Sequence, residues 1–201
     1  RTTSGSHTVL QDYPTLPSWT AMTVGGTTVH WTAVALRVQP SETRARTVYG
    51  AVEGASLIDW PIDYKELAHY YDIAEKRMVV TRTHGNPGLP ASAHFKVMYH
   101  GARRIGYKRV HTGHLAINSQ PADGRGMCIQ QGFCVQGCKT GAKWSTLYTE
   151  IPKAEATGNL DLRAGCRATR IEHGADGRAS AVIYRDKDGV EQRQKARIVC
   201  V

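Results

Sequence analysis

The chain has 201 residues, with 26 Lys and Arg against 17 Asp and Glu and a net charge of +9. That length suffices for one domain with a sizeable core, or for part of a larger one. It holds no run of about 18 apolar residues, which excludes a transmembrane helix, and its basic residues are scattered rather than blocked, which reads as a basic soluble surface. The five cysteines are an odd number, so disulfides within one chain cannot use them all. No basic-then-apolar leader opens the chain. It begins with Arg and closes on ARIVCV, which reads as the middle of a buried strand, so both ends are expected to be cut and the chain to be internal to a longer protein.

In chain order, residues 1–24 show no period, and DYPTLPSW, with two prolines, reads as a loop. VGGTTVHWTAVALRVQP follows. Gly25 and Gly26 permit positive φ and close approach of backbone to a ligand, or form a simple turn before a strand. Ala33 to Val38 is that strand. Residues 51–60 are a loop. Asp63 and Glu66 make a capping box at the head of a helix over about 64–78. It places Leu67, Tyr70, Tyr71, Ala74 and Met78 on one side, a stripe expected to be core. THGNPGLPAS breaks the pattern, and a second helix spans about 92–105. Beyond residue 141, AKWSTLYTE is expected to be helical. Pro152 ends or kinks it and suits the first turn of the next helix, stopped by Gly158 and Asn159. LDLRAGCRATRIE, ASAVIYRD and QKARIVCV read as strands, with turns at GADGR and KDG. Cys166 and Cys200 lie in those strands and are expected in the core.

Between these elements lies GMCIQQGFCVQGCKTGAKWS, with Cys128, Cys134 and Cys138 spaced by five and then three residues. A disulfide plus one free thiol is one reading. Zinc is another, with His111 or His114 as fourth ligand, although zinc ligands usually come as closer pairs. Three inert buried thiols fit poorly, because the stretch has no apolar period. An iron–sulfur cluster is the last, with Gly126, Gly132, Gly137 and Gly141 letting the backbone wrap it and aim amides at sulfur. On spacing alone, cluster and zinc stand level. The zinc reading, joined to the basic charge, gives a nucleic-acid-binding module as the rival function.

GGTTVHWTA, DWPIDYKELAHYYDIAE and CIQQGFCVQGCKTGAKWS together resemble the glucose–methanol–choline oxidoreductase family. The similarity covers roughly residues 20–201. The branch it most resembles is the flavoprotein subunit of bacterial membrane-associated dehydrogenases of glucose, gluconate, sorbitol or fructose. The resemblance implies an α/β fold: an internal part of an FAD-binding domain with part of a substrate or lid domain. Residues 1–50 and 142–201 would be flavin-domain segments, 51–120 a substrate or lid segment, and 121–141 the cysteine loop. It implies FAD-dependent oxidation of a sugar or polyol hydroxyl. In that branch the three-cysteine spacing carries a 3Fe-4S cluster, here on Cys128, Cys134 and Cys138, which passes electrons towards a cytochrome c or quinone acceptor.

The same resemblance places Gly25, Gly26 and Thr27 against the flavin dinucleotide, with Trp31 and Thr32 beside them. It aligns His30 with the histidine that pyranose oxidases bond covalently to flavin, or leaves it packed beside a non-covalent one. Ala168 would contact the adenosine end. The implied partners are a cytochrome c subunit and a small chaperone-like subunit. No nucleic acid and no membrane span of the chain's own are implied, and the site of action is periplasmic, peripheral to the cytoplasmic membrane. The phosphate-binding G-x-G-x-x-G unit is expected before residue 1 and the catalytic histidine after residue 201. No catalytic residue is assigned among the nine histidines here.

Overall fold

The computed structural model describes residues 2–3, 6–7 and 21–201, so the DYPTLPSW loop lies outside the described residues. The chain divides into two compact units, Arg1–Pro152 and Lys153–Val201.

In the first unit, Thr2–Thr3 (β1) pairs antiparallel with Ser6–His7 (β2). A short helix, Ala45–Tyr49 (α1), precedes Tyr64–Met78 (α2) and Ala93–Arg104 (α3). The starts of the two longer helices follow from their caps. The Asp63 carboxylate accepts from the Lys65 amide at 2.7 Å, and the Ser92 hydroxyl accepts from the Phe95 amide at 3.3 Å.

Around these helices, extended segments interlace instead of forming a broad sheet. Ala116 N donates to Ala33 O, Thr81 N to Leu115 O, Trp144 N to Ala116 O and Asn118 N to Ala142 O. Their crossing buries a small apolar core of Ala33, Val80, Ala116, Ile117 and Ala142. The expected strand over Ala33–Val38 shrinks to one bridge, Val34 with Leu115. The reason lies at its head, where Ala33 adopts φ 62, a left-handed conformation that breaks an extended run.

Residues 142–149 and the exposed face of α2 also depart from expectation. Residues 142–149 are not helical, because the backbone of 142–144 is already paired with Ala116 and Asn118, and only Glu150–Ala156 (α4) is a helix. On α2 the fully buried side chain is Glu75, not the apolar stripe, and Tyr70 is exposed. Arg37 explains the burial. Its Nε and Nη2 donate to the two Glu75 oxygens at 2.7 and 2.6 Å, and Nη2 also reaches Asp72 at 2.6 Å.

The second unit carries an antiparallel sheet in the order Arg167–His173 (β3), Ala179–Arg185 (β4), Glu191–Lys195 (β5). Ala181 and Ile183 of the central strand are its buried residues. Both turns carry the expected glycines, Gly177 and Gly189, at positive φ. The third strand ends at Lys195, short of the sequence expectation, and its five residues are all exposed. Cys200 is accordingly exposed and Cys166 half-buried, so neither is a core thiol. Among the described residues no helix is long and apolar enough to cross a membrane.

Candidate functional site

The Gly-Gly segment opens a 3-10 turn, Gly26–Val29, with Gly25 before it at φ 93. A Cβ at Gly25 would stand 2.8 Å from Val29 Cγ2 and 2.9 Å from Leu147 Cβ, so glycine is required there by packing as well as by φ. A Cβ at Gly26 would meet nothing within 4 Å, so its backbone faces open space. The segment is fastened along its length to residues 143–147. Thr146 Oγ1 donates to Gly25 O at 3.0 Å, Thr146 N to Thr28 Oγ1 at 3.2 Å, and Trp31 Nε1 to Trp144 O at 2.8 Å. The two tryptophan rings meet edge to face at 6.1 Å. His30 closes the 3-10 turn, its amide on Thr27 O, and is half-buried; Thr27 and Thr32 are exposed.

The cysteine loop comes directly before residues 143–147. Cys128, Cys134 and Cys138 are half-buried, pack against the apolar core and line one open cavity of about 1060 Å³. Thr32, Tyr148 and Phe95 line the same cavity. Two of the sulfurs accept backbone amides, Cys128 from Gln130 and Cys138 from Lys143, each at 3.4 Å. Burial pushes the Cys138 thiol up. Donors from Lys143, Thr140 and Ala142 outweigh that and hold it below the ordinary thiol value. At the loop's base, Asn118 is fully buried, with Nδ2 donating to Ala122 O at 2.9 Å and its backbone carbonyl accepting from Cys128 N at 2.9 Å.

Two buried cations flank the loop. Lys143 is fully buried, and its Nζ donates to Val29 O at 2.7 Å, Trp31 O at 2.9 Å and Cys134 O at 2.5 Å. Arg125 Nη1 donates to Gly141 O at 3.2 Å and Ala142 O at 3.0 Å. Burial lowers both cations below their ordinary values, opposed by attraction to Asp123 and then Cys138 for Arg125, and to Cys134 and then Cys138 for Lys143. Among the described residues, the buried side-chain atoms without a hydrogen-bond partner are Arg125 Nε and Nη2, Trp144 Nε1 and Asn118 Oδ1. Three of these four are N–H donors, and all belong to residues around this loop. Arg125 Nε lies 3.9 Å from Asp123 Oδ2, so an acidic side chain faces part of this set.

The donor set also bears on which metal fits. Among the described residues, the trio whose ligand atoms all lie within 4.8 Å is Asp72, Glu75 and His84, and Arg37 already holds both of those carboxylates. Cys128, Cys134 and Cys138 do not form such a trio among the described residues. His111 and His114 line a second cavity of about 640 Å³ with Glu75 and His84, while their neighbours Thr112, Gly113 and Leu115 line the cysteine cavity.

Of the expected flavin residues, Thr32 lines the cysteine cavity and Trp31 packs on the same core as the cysteines, while Gly25, Gly26, Thr27 and His30 belong to the segment fastened to residues 143–147. Ala168 lies in the second unit, on β3 opposite Tyr184 and beside a bulge.

A sequence profile described as GMC oxidoreductase matches residues 3–201. The chain belongs to the GMC oxidoreductase family. It is 31% identical over 186 residues to paromamine 6'-oxidase of Streptomyces fradiae, covering 89% of this chain and 34% of that protein. It is 32% identical over 206 residues to 2-methyl-1,2-propanediol dehydrogenase of Mycolicibacterium austroafricanum, covering 95% and 36%. It is 28% identical over 188 residues to the fructose dehydrogenase large subunit of Gluconobacter japonicus, covering 87% and 33%. The chain thus spans about a third of the length of the curated relatives it matches.

Within this GMC chain, Lys143, Arg125, Asn118 and the Arg37–Glu75 pair were not singled out by sequence reasoning. For Lys143 one signal existed. A lysine between Ala142 and Trp144, straight after a glycine-rich loop, has apolar neighbours on both sides.

Proposed function

We propose that this chain is the flavin- and cluster-bearing portion of an FAD-dependent dehydrogenase that oxidises a sugar or polyol hydroxyl and delivers the electrons to a cytochrome c or quinone acceptor. The observation that carries the reading is one cavity lined by Cys128, Cys134, Cys138 and Thr32, with the Gly25–Trp31 segment hydrogen-bonded to the residues that follow the cysteines. When bound, FAD supplies hydride acceptance from the carbinol carbon, and a 3Fe-4S cluster supplies one-electron transfer to the acceptor.

The chain's own residues have separable tasks. Gly25, Gly26 and Thr27 present backbone to the flavin, and His30, Trp31 and Thr32 wall it. His30 is the position for a covalent flavin bond. Ala168 meets the adenosine end by backbone, which alanine tolerates. Cys128, Cys134 and Cys138 hold the cluster; the amides of Gln130 and Lys143 steady two of the sulfurs. The relatives are named for paromamine, 2-methyl-1,2-propanediol and fructose, which supports a hydroxyl-bearing substrate. A cytochrome c subunit, a small chaperone-like subunit and a periplasmic site of action complete the proposal.

Cys134→Ser in the full-length protein tests it. Reduction of the flavin by substrate should stay within about threefold of wild type, while cytochrome reduction falls at least about a hundredfold. A folded variant that reduces cytochrome at the wild-type rate would refute the relay.

A further inference from the structure

Lys143 stands out among the buried groups because three backbone carbonyls converge on one fully buried ammonium. A neutral amine carries two N–H bonds and cannot serve three acceptors, so this geometry selects the charged form. The three carbonyls belong to two separate stretches of chain. Val29 and Trp31 flank His30, while Cys134 is the middle cysteine of the loop. The Lys143 amide meanwhile donates to Cys138 Sγ at 3.4 Å. One residue thus touches both sides of His30 and two of the three cysteines.

Burial of an unpaired ammonium costs several kcal/mol, which backbone carbonyls offset only in part. A methionine would fill the same space but leave the carbonyls of Val29, Trp31 and Cys134 without this donor, so the lysine bridges two stretches of chain as well as carrying charge. What the ammonium adds is a fixed positive charge in a site of low dielectric, beside sulfur ligands.

We propose that Lys143 is a positioning residue that fixes the flavin-side segment to the cysteine loop and, through its buried charge, raises the reduction potential of the cluster. The inference rests on the cluster reading above. Reduction adds negative charge to the cluster, and a nearby buried cation favours the reduced state. Arg125 adds to the field from the Gly141–Ala142 side.

The full-length protein carrying Lys143→Met, Lys143→Arg or Lys143→Gln tests this. Iron and flavin contents, the cluster midpoint from a redox titration followed by electron paramagnetic resonance, and the rate of flavin reduction by substrate are measured for each. Lys143→Met removes the three carbonyl contacts as well as the charge, so it should keep iron but lose flavin or reduce it with substrate more slowly than Lys143→Arg does. The Lys143→Met midpoint should fall by at least a tenfold change in the one-electron equilibrium constant, about 59 mV. Lys143→Arg, which keeps the charge, should stay near the wild-type potential. If Lys143→Met does not accumulate, Lys143→Gln is read in its place, because it keeps two N–H donors without the charge. An iron-loaded uncharged variant with the wild-type midpoint overturns this inference alone. A wild type without iron overturns the cluster reading and this inference with it.

Discussion

Glu75 shows how a single side chain redirects a helix face. It is 3% exposed and carries Arg37 on both oxygens and His84 Nε2 at 3.1 Å. The Arg37 hydrogen bond, opposed by burial, holds its carboxyl below the usual carboxylate range, and Asp72 is lowered by the same guanidinium. A carboxylate depressed on folding contributes stability that is present above its unfolded pKa and lost as pH falls through its folded one. Glu75→Gln should therefore cost about 3 kcal/mol at pH 7, because it leaves Arg37 short of a partner. The gap between wild type and variant should shrink as pH drops below about 4.3. Urea midpoints across that range check it; a gap constant with pH would assign the loss to packing. The pair was illegible in the sequence. Arg37 and Glu75 lie on segments with no common period, and only the fold brings them together.

Among the elements, those whose starts are written in side chains were legible. Expected and observed bounds agree for α2, and α3 runs over Ala93–Arg104 against about 92–105. Asp63 and Ser92 fix both starts through hydrogen bonds local to a few residues. The cap at α2 gives a direct test. Asp63→Ala should lower stability by about 1 kcal/mol, read as a fall in thermal midpoint, while Lys65→Ala, which keeps the capped amide, should change it little. Elements held by distant partners were misread. The stretch 142–149 has helix-compatible residues, yet its backbone pairs with 116–118, and the competing partners lie about 25 residues away in sequence. The hairpins of β3 to β5 were readable because GADGR and KDG carry their own turn chemistry, but strand length was not. β5 stops where its ladder with β4 ends.

Over the whole molecule, charge is less even than composition implies. No Asp or Glu lies between Glu75 and Asp123, a stretch that includes α3 and its basic tail Arg103, Arg104, Lys108 and Arg109. The family was legible from the Gly-Gly segment, DWPIDY and the cysteine spacing, and the profile match over residues 3–201 bears that out. The three cysteines and the Gly-Gly segment could be picked out as candidates from the sequence. The cavity that the cysteines line with Thr32 and the buried cations nearby could not, because burial of a charge leaves no periodic trace in sequence. Cys128, Cys134 and Cys138 are proposed to hold an iron–sulfur cluster beside a flavin. The most direct measurement is iron, zinc and acid-labile sulfide analysis of the full-length protein, with a low-temperature paramagnetic resonance spectrum of the same sample. The prediction is about three irons and four sulfides per chain, with a paramagnetic signal from the oxidised cluster that disappears in Cys134→Ser. Zinc without iron, or no bound metal in a protein that retains its flavin, would contradict it.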